Sequence, residues 1–263
     1  MKTARRIHHF ALCVLACTPL AMTLASCAAT GRADVDIAND VPGESNRVFV
    51  RGPGRQDVPY KLYLPPGYDD PSGREAWPLL VFLHGAGERG DDLERVAIHG
   101  PIGRARKQPM PFVIVSPLCP KGRSWRNEEL VDLIDHCLAR YFVDERRVLL
   151  TGLSMGGYGT FALGLTHPEK FAAIVPICGG GERLAPFMLD DRGKAALRSL
   201  QVRVYHGADD RVVPIEESLR MVHVLEELGV PVEMTTYQGV GHAAWKPAYA
   251  DEELWRWLEE RHR

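Results

Sequence analysis

The segment Thr151-Gly152-Leu153-Ser154-Met155-Gly156-Gly157 sets a serine between two glycines, each two residues away. It stands where a β-branched apolar run, 148–152, gives way to a helical pattern, 155–166. A strand that turns this sharply into a helix lifts the residue at the turn into solvent. Side chains two positions either side would collide with neighbouring backbone, so glycine is needed at Gly152 and Gly156. The chemistry open to such a serine is attack on an acyl carbon, and the Met155 backbone N–H, near a helix start, can face the oxyanion that develops. A serine hydroxyl is a weak nucleophile at neutral pH and needs a base from elsewhere in the chain. After the apolar run 202–207 comes Ala208-Asp209-Asp210-Arg211, and after the run 232–237 comes Gln238-Gly239-Val240-Gly241-His242. Nucleophile, carboxylate and histidine thus follow one another in the order of a hydrolytic triad carried on successive strand ends.

Holding three such groups together requires a sheet. Apolar, β-branched runs at 47–50, 60–64, 79–83, 112–116, 148–152, 173–177, 202–207 and 232–237 predict eight strands. The first two are close enough for an antiparallel hairpin. The later ones are separated by the helix-sized stretches that parallel crossovers need. Helices are expected over 93–98, 128–141, 155–166, 186–199, 214–228 and 251–260, which makes a doubly wound α/β sheet. No repeat or low-complexity tract interrupts it, so 46–263 reads as one catalytic domain with at most a small cap. His84 and His206 each precede a glycine at a strand end, where the ring serves local backbone. No histidine pair shows metal-ligand spacing with a nearby carboxylate, so neither a catalytic metal nor another cofactor is expected. With 25% charged residues and a net charge of −2, nothing marks a nucleic-acid face.

Four segments together carry a resemblance: Phe82-Leu83-His84-Gly85-Ala86-Gly87, the stretch 152–157, His206-Gly207 with Asp210 and Val213-Pro214, and Gly239-Val240-Gly241-His242. They resemble the phospholipase/carboxylesterase and feruloyl-esterase-like branch of the α/β-hydrolases, over nearly the whole of 46–263. The resemblance implies the α/β-hydrolase fold, an eight-stranded mostly parallel sheet flanked by helices with a minimal cap. It implies a serine esterase with Ser154 as nucleophile and His242 as base. It also implies Asp210, rather than its neighbour Asp209, as the acid, and Ala86 as the oxyanion donor paired with Met155. Small-molecule or polysaccharide-linked esters are the implied substrates. A peptidase of the same fold is the first rival, because amide and ester cleavage share this machinery; a surface lipoprotein that only binds glycan or protein is the second. Trp125, in a loop after the fourth strand, and Trp245, three residues past His242, carry two open readings: walls of a substrate pocket, or plugs packing a loop onto the core.

The N-terminus differs from the rest. Lys2, Arg5 and Arg6 precede an apolar run, 10–25, too short to span a bilayer comfortably, and Leu24-Ala25-Ser26-Cys27 ends it. This resembles a bacterial lipoprotein signal, so 1–26 is expected to be a removed signal peptide and 27–45 a polar tether from lipidated Cys27. The enzyme would be a cell-envelope lipoprotein, periplasmic or at the outer membrane, touching membrane only through that anchor. Cys137 falls on a helical apolar face and reads as a buried small hydrophobe; no pairing is assigned to Cys119 and Cys178.

Overall fold

The computed structural model describes residues 40–70 and 75–263. The leader, Cys27 and the tether up to residue 39 lie outside the described residues. All eight predicted strands form: Gly43–Phe49 (β1), Val58–Leu64 (β2), Trp77–Leu83 (β3), Val113–Pro117 (β4), Val143–Leu153 (β5), Ala173–Ile177 (β6), Gln201–Gly207 (β7) and Val232–Tyr237 (β8). They make a single sheet in the order β1-β2-β4-β3-β5-β6-β7-β8. The β1–β2 and β2–β4 pairs are antiparallel, and every pair from β4 through β8 is parallel.

Strands buried on both faces read as continuous apolar runs, and β3 shows why. Leu79, Val81 and Leu83 point into one core, while Leu80 and Phe82 point into the other. The first core is closed by helices Asn127–Arg140 (α2), Met155–Thr166 (α3), Asp191–Ser199 (α4) and Glu216–Glu227 (α5). The second is closed by Pro101–Ala105 (α1), Trp245–Ala250 (α6) and Glu252–Glu259 (α7). Cys137 is fully buried in the first core, and Cys119, Cys137 and Cys178 are all free thiols. No helix among the described residues is long and apolar enough to cross a membrane.

Three expectations need correction. The helix expected at 93–98 is a 3-10 turn, Leu93–Ala97, opened by the Asp92 side chain accepting from Glu94 N–H; Gly100 and Pro101 then start α1 afresh. The helix expected at 186–199 is broken. A 3-10 turn, Ala185–Met188, stops at extended Leu189, and Asp190 caps α4 through the Gly193 N–H. The tether expected to reach residue 45 ends earlier, because Gly43 to Ser45 pair with Leu64 to Leu62 in β1–β2. Asp40, buried to 2% exposure, is held there by Arg140 at 2.7 Å and Arg47 at 3.3 Å. A buried carboxylate with two cations belongs to the domain, not to a solvated linker.

Candidate active site

At the carboxyl end of β5 the chain reverses into α3 through Ser154, whose φ of 53° and ψ of −117° lie in the left-handed half of backbone space. Such a conformation costs on the order of 1–3 kcal/mol in a non-glycine residue and persists only where surroundings enforce it. Here the enforcement is backbone: Ser154 N–H donates to the Ile177 carbonyl at 2.9 Å, and the Ser154 carbonyl accepts from Tyr158 N–H at 3.0 Å. The glycines are dictated by the same crowding. A Cβ on Gly156 would lie 1.9 Å from the Leu83 carbonyl oxygen, and one on Gly152 would lie 2.4 Å from the Gly156 carbonyl oxygen. Gly156→Ala must therefore push β3 away from the elbow, and a loss of more than about 4 kcal/mol is expected. Thermal melting checks this; a soluble variant with an unchanged Tm would refute the packing argument.

Asp210 and His242, expected as acid and base, lie on the loops after β7 and β8. A Cβ on Gly207 would lie 2.2 Å from the Gly241 carbonyl oxygen and 2.3 Å from that of Val240, so glycine lets the two loops meet backbone to backbone. Asp209 donates its N–H to the Val240 carbonyl at 3.0 Å and is exposed; Asp210 turns inward with 8% exposure. His242 Nδ1 stands 2.7 Å from Asp210 Oδ2, and His242 Nε2 stands 2.9 Å from Ser154 Oγ. A carboxylate only accepts, so Nδ1 carries the proton and Nε2 is left to accept from the serine hydroxyl.

Asp210 is unusually well supplied with donors. Its Oδ1 accepts from Val212 N–H at 2.9 Å and Val213 N–H at 3.0 Å. His206, wholly buried, brings Nε2 to 2.9 Å of the Val213 carbonyl and 3.3 Å of Asp210 Oδ2, while its Nδ1 meets Ser218 Oγ at 2.7 Å. Burial pushes the Asp210 carboxyl up, but the hydrogen bonds from His242, Val213 and Val212 outweigh it and hold the group below its ordinary value. The carboxylate is thus ionised at neutral pH.

The other flank of Ser154 is the loop after β3. Ala86 opens a 3-10 turn and Met155 opens α3, so neither N–H has an acceptor inside its own element. His84 pins the loop: Nδ1–H donates to the Gly85 carbonyl at 2.6 Å, and Nε2 accepts from Cys119 N–H at 3.0 Å. Burial holds this imidazole below its usual pKa, as a neutral clamp with one donor and one acceptor requires. Arg89 donates to the carbonyls of Ala86 at 3.0 Å and Arg123 at 2.9 Å, and Arg95 donates to that of Gly87.

Comparison with known proteins accords with this geometry. A family model described as phospholipase/carboxylesterase matches residues 120–251, half of the chain. The chain belongs to that family. A second model, of esterases, matches residues 55–180. Acyl-protein thioesterase 1 of Gibberella zeae is 24% identical over 204 residues, 66% of this chain and 87% of that protein. The solved structure of a thermostable esterase is 32% identical with a TM-score of 0.68, covering 84% of this chain; this chain spans 63% of that one. A ferulic acid esterase structure at 19% identity and TM-score 0.63 covers 82% of this chain and 96% of its own, and shares the fold.

Two openings lie near the triad in this family member, one against Met155 and the other reached through Trp245. One, about 450 Å³, is lined by Trp125, Met155, Tyr158 and Ala162. Trp125 also plugs its loop, donating Nε1–H to the His84 carbonyl at 3.2 Å and packing edge-on to that ring at 4.8 Å. Trp125 thus lines this opening and packs its loop onto the core with the same ring. The other opening, about 730 Å³, is a groove beyond Trp245, whose ring meets His242 edge-on at 5.5 Å and 88°. Its helix α6 is fixed to the sheet by Tyr249 Oη, 2.9 Å from Thr151 Oγ1. Sequence reasoning missed His206 as a second neighbour of Asp210. It also missed Arg89 and Arg95 as loop clamps, and the His99 ring 5.4 Å from Trp245. The run Glu88-Arg89-Gly90-Asp91 was the available signal for the clamps.

Cys178, Asp210 and His242 bring ligand atoms within 4.8 Å of one another. Burial pushes the Cys178 thiol up to about 12. His242 Nδ1 is already spent on Asp210.

Proposed function

We propose that this carboxylic ester hydrolase works through an acyl-enzyme on Ser154. The observation that carries the reading is the unbroken relay from Asp210 Oδ2 through His242 to Ser154 Oγ, with spans of 2.7 and 2.9 Å. Ser154 Oγ attacks the ester carbonyl carbon as its proton passes to His242 Nε2, and Asp210 stabilises the imidazolium. The oxyanion is bound by the N–H groups of Met155 and Ala86. Collapse breaks the ester C–O bond, and His242 returns the proton to the departing alkoxide. Water, deprotonated by the same imidazole, then attacks the acyl carbon; the bond to Ser154 Oγ breaks, His242 returns the proton to Oγ, and the carboxylic acid leaves. Two preorganised donors are together worth several kcal/mol of transition-state stabilisation, each about 3–4 by removal experiments on comparable holes.

A fluorophosphonate probe tests the assignment: labelling is expected on Ser154 alone. A purely binding protein takes no label. Turnover of p-nitrophenyl acetate or butyrate with none of peptide anilides supports the ester reading over a peptidase, and the reverse pattern overturns it.

The pattern Lys2 to Cys27 further supports a lipid-anchored enzyme of the cell envelope. Cys27→Ser should move activity from the membrane pellet to the soluble fraction; activity already soluble in the parent chain would contradict the anchor.

A further inference from the structure

The opening against Met155 and the groove at Trp245 differ in charge as well as shape. The groove beyond Trp245 is lined by His99, Arg104, Arg106, Lys107 and Lys246, and by no aspartate or glutamate. Some of this charge is neutralised from outside. Arg104 pairs with Glu252 at 2.5 Å, Arg106 with Glu44 at 2.8 Å and Glu94 at 3.0 Å, and His99 faces Glu88 at 3.9 Å. Lys107 and Lys246 are exposed and have no ion-pair partner among the described residues. The groove therefore carries two uncompensated ammonium groups in a chain whose net charge is −2. A cleft whose lining holds unpaired lysines and no carboxylate attracts a negatively charged group rich in acceptor oxygens.

We infer that this groove receives the alcohol part of the ester and favours alcohols bearing an anionic group, a carboxylate or a phosphate. The inference rests on the acyl-enzyme reading, because that reading fixes which side the alcohol occupies. His242 must hand its proton to the departing oxygen, so the alcohol lies on the imidazole side of Ser154, against Trp245. The opening lined by Met155, Tyr158 and Trp125 adjoins the Met155 N–H instead and takes the acyl part. Trp245 meets His242 edge-on and also lines the groove, so it joins the imidazole to the groove, and its face suits a ring in the alcohol.

The test compares esters that differ only in charge at the far end of the alcohol. 4-Acetoxybenzoate is set against 4-acetoxybenzamide, and 4-acetoxyphenyl phosphate is run as the phosphate arm. The ratio of kcat/KM for the anionic ester to that for the neutral amide is measured in the parent enzyme and in Lys107→Gln/Lys246→Gln. Comparing ratios between enzymes cancels the intrinsic reactivity of each ester. The ratio is expected to fall about 10-fold in the double variant and to shrink in the parent enzyme as salt is raised toward about 0.5 M. Lys194→Gln, on α4 and outside the groove, is the control and should leave both esters unchanged. A larger fall for one anionic arm identifies carboxylate or phosphate as the preferred group. A ratio that does not move in the double variant, with the amide still turned over and Ser154 still labelled, overturns the groove assignment alone. Absence of turnover on every ester, with no labelling of Ser154, overturns the acyl-enzyme reading and this inference with it.

Discussion

Ser154→Ala is expected to lower kcat on p-nitrophenyl acetate by as much as about 10⁶-fold, which on so activated an ester means the rate in buffer alone. The size follows from what is removed. Without Oγ there is no atom to carry the acyl group, and His242 Nε2 loses the hydroxyl it meets at 2.9 Å. Alanine keeps the Cβ that already sits at a φ of 53°, so the strain at the elbow and the backbone bonds to Ile177 and Tyr158 are unchanged. The Tm should stay within a few degrees of the parent value. Steady-state kinetics beside a thermal melt checks both halves; a well-folded variant that keeps a tenth of the parent activity would show that another group is the nucleophile.

Asp210→Asn should cost about 10⁴-fold in kcat at neutral pH, by a different route. The variant's oxygen can still accept from Val212 and Val213, the bonds now made at 2.9 and 3.0 Å, so the loop is held. Its amide N–H₂ then faces His242 Nδ1. A donor there favours the imidazole with a bare Nδ1 and a protonated Nε2, which cannot accept the serine proton. The charge that steadies the imidazolium is lost as well. The lowered pKa of Asp210 also sets a sign for stability. Its ionised form contributes fully above the ordinary carboxylate pKa of about 4, and that contribution is lost as pH falls through the depressed native value. The Asn variant should therefore show a smaller drop in Tm on acidification than the parent enzyme. An equal drop in both would mean that Asp210 does not carry this linkage.

Much of the scaffold was legible because its signals are strong and local. Eight β-branched, apolar-rich runs predicted eight strands: the inner strands are covered on both faces and run nearly apolar, while the edge strands β1 and β8 alternate. The elbow was legible because only glycine fits where a Cβ would fall 1.9 Å from a carbonyl oxygen. Chain order then led to His242 and left Asp209 and Asp210 open; resemblance chose Asp210, and the structure brings that residue to the imidazole while Asp209 faces solvent. What was not legible depends on contacts far apart in sequence. His206 looked like a strand-end histidine serving backbone, and so it is, yet it also touches Asp210 because the loop folds back over it. Asp40 lay in a segment that reads as linker, and only Arg47 and Arg140 make it part of the domain. The groove lysines belong to loops and short helices, Pro101–Ala105 and Trp245–Ala250, too brief for any periodicity to announce.

The most direct test of the acyl-enzyme is intact-protein mass spectrometry after acid quench of the enzyme mixed with excess p-nitrophenyl acetate, followed by peptide mapping. One acetyl group per chain is expected, on the peptide holding Ser154, appearing with the first turnover and absent from Ser154→Ala. Continued turnover with no adduct at any quench time under the slowest deacylation conditions, or an adduct mapped to another residue, would contradict it.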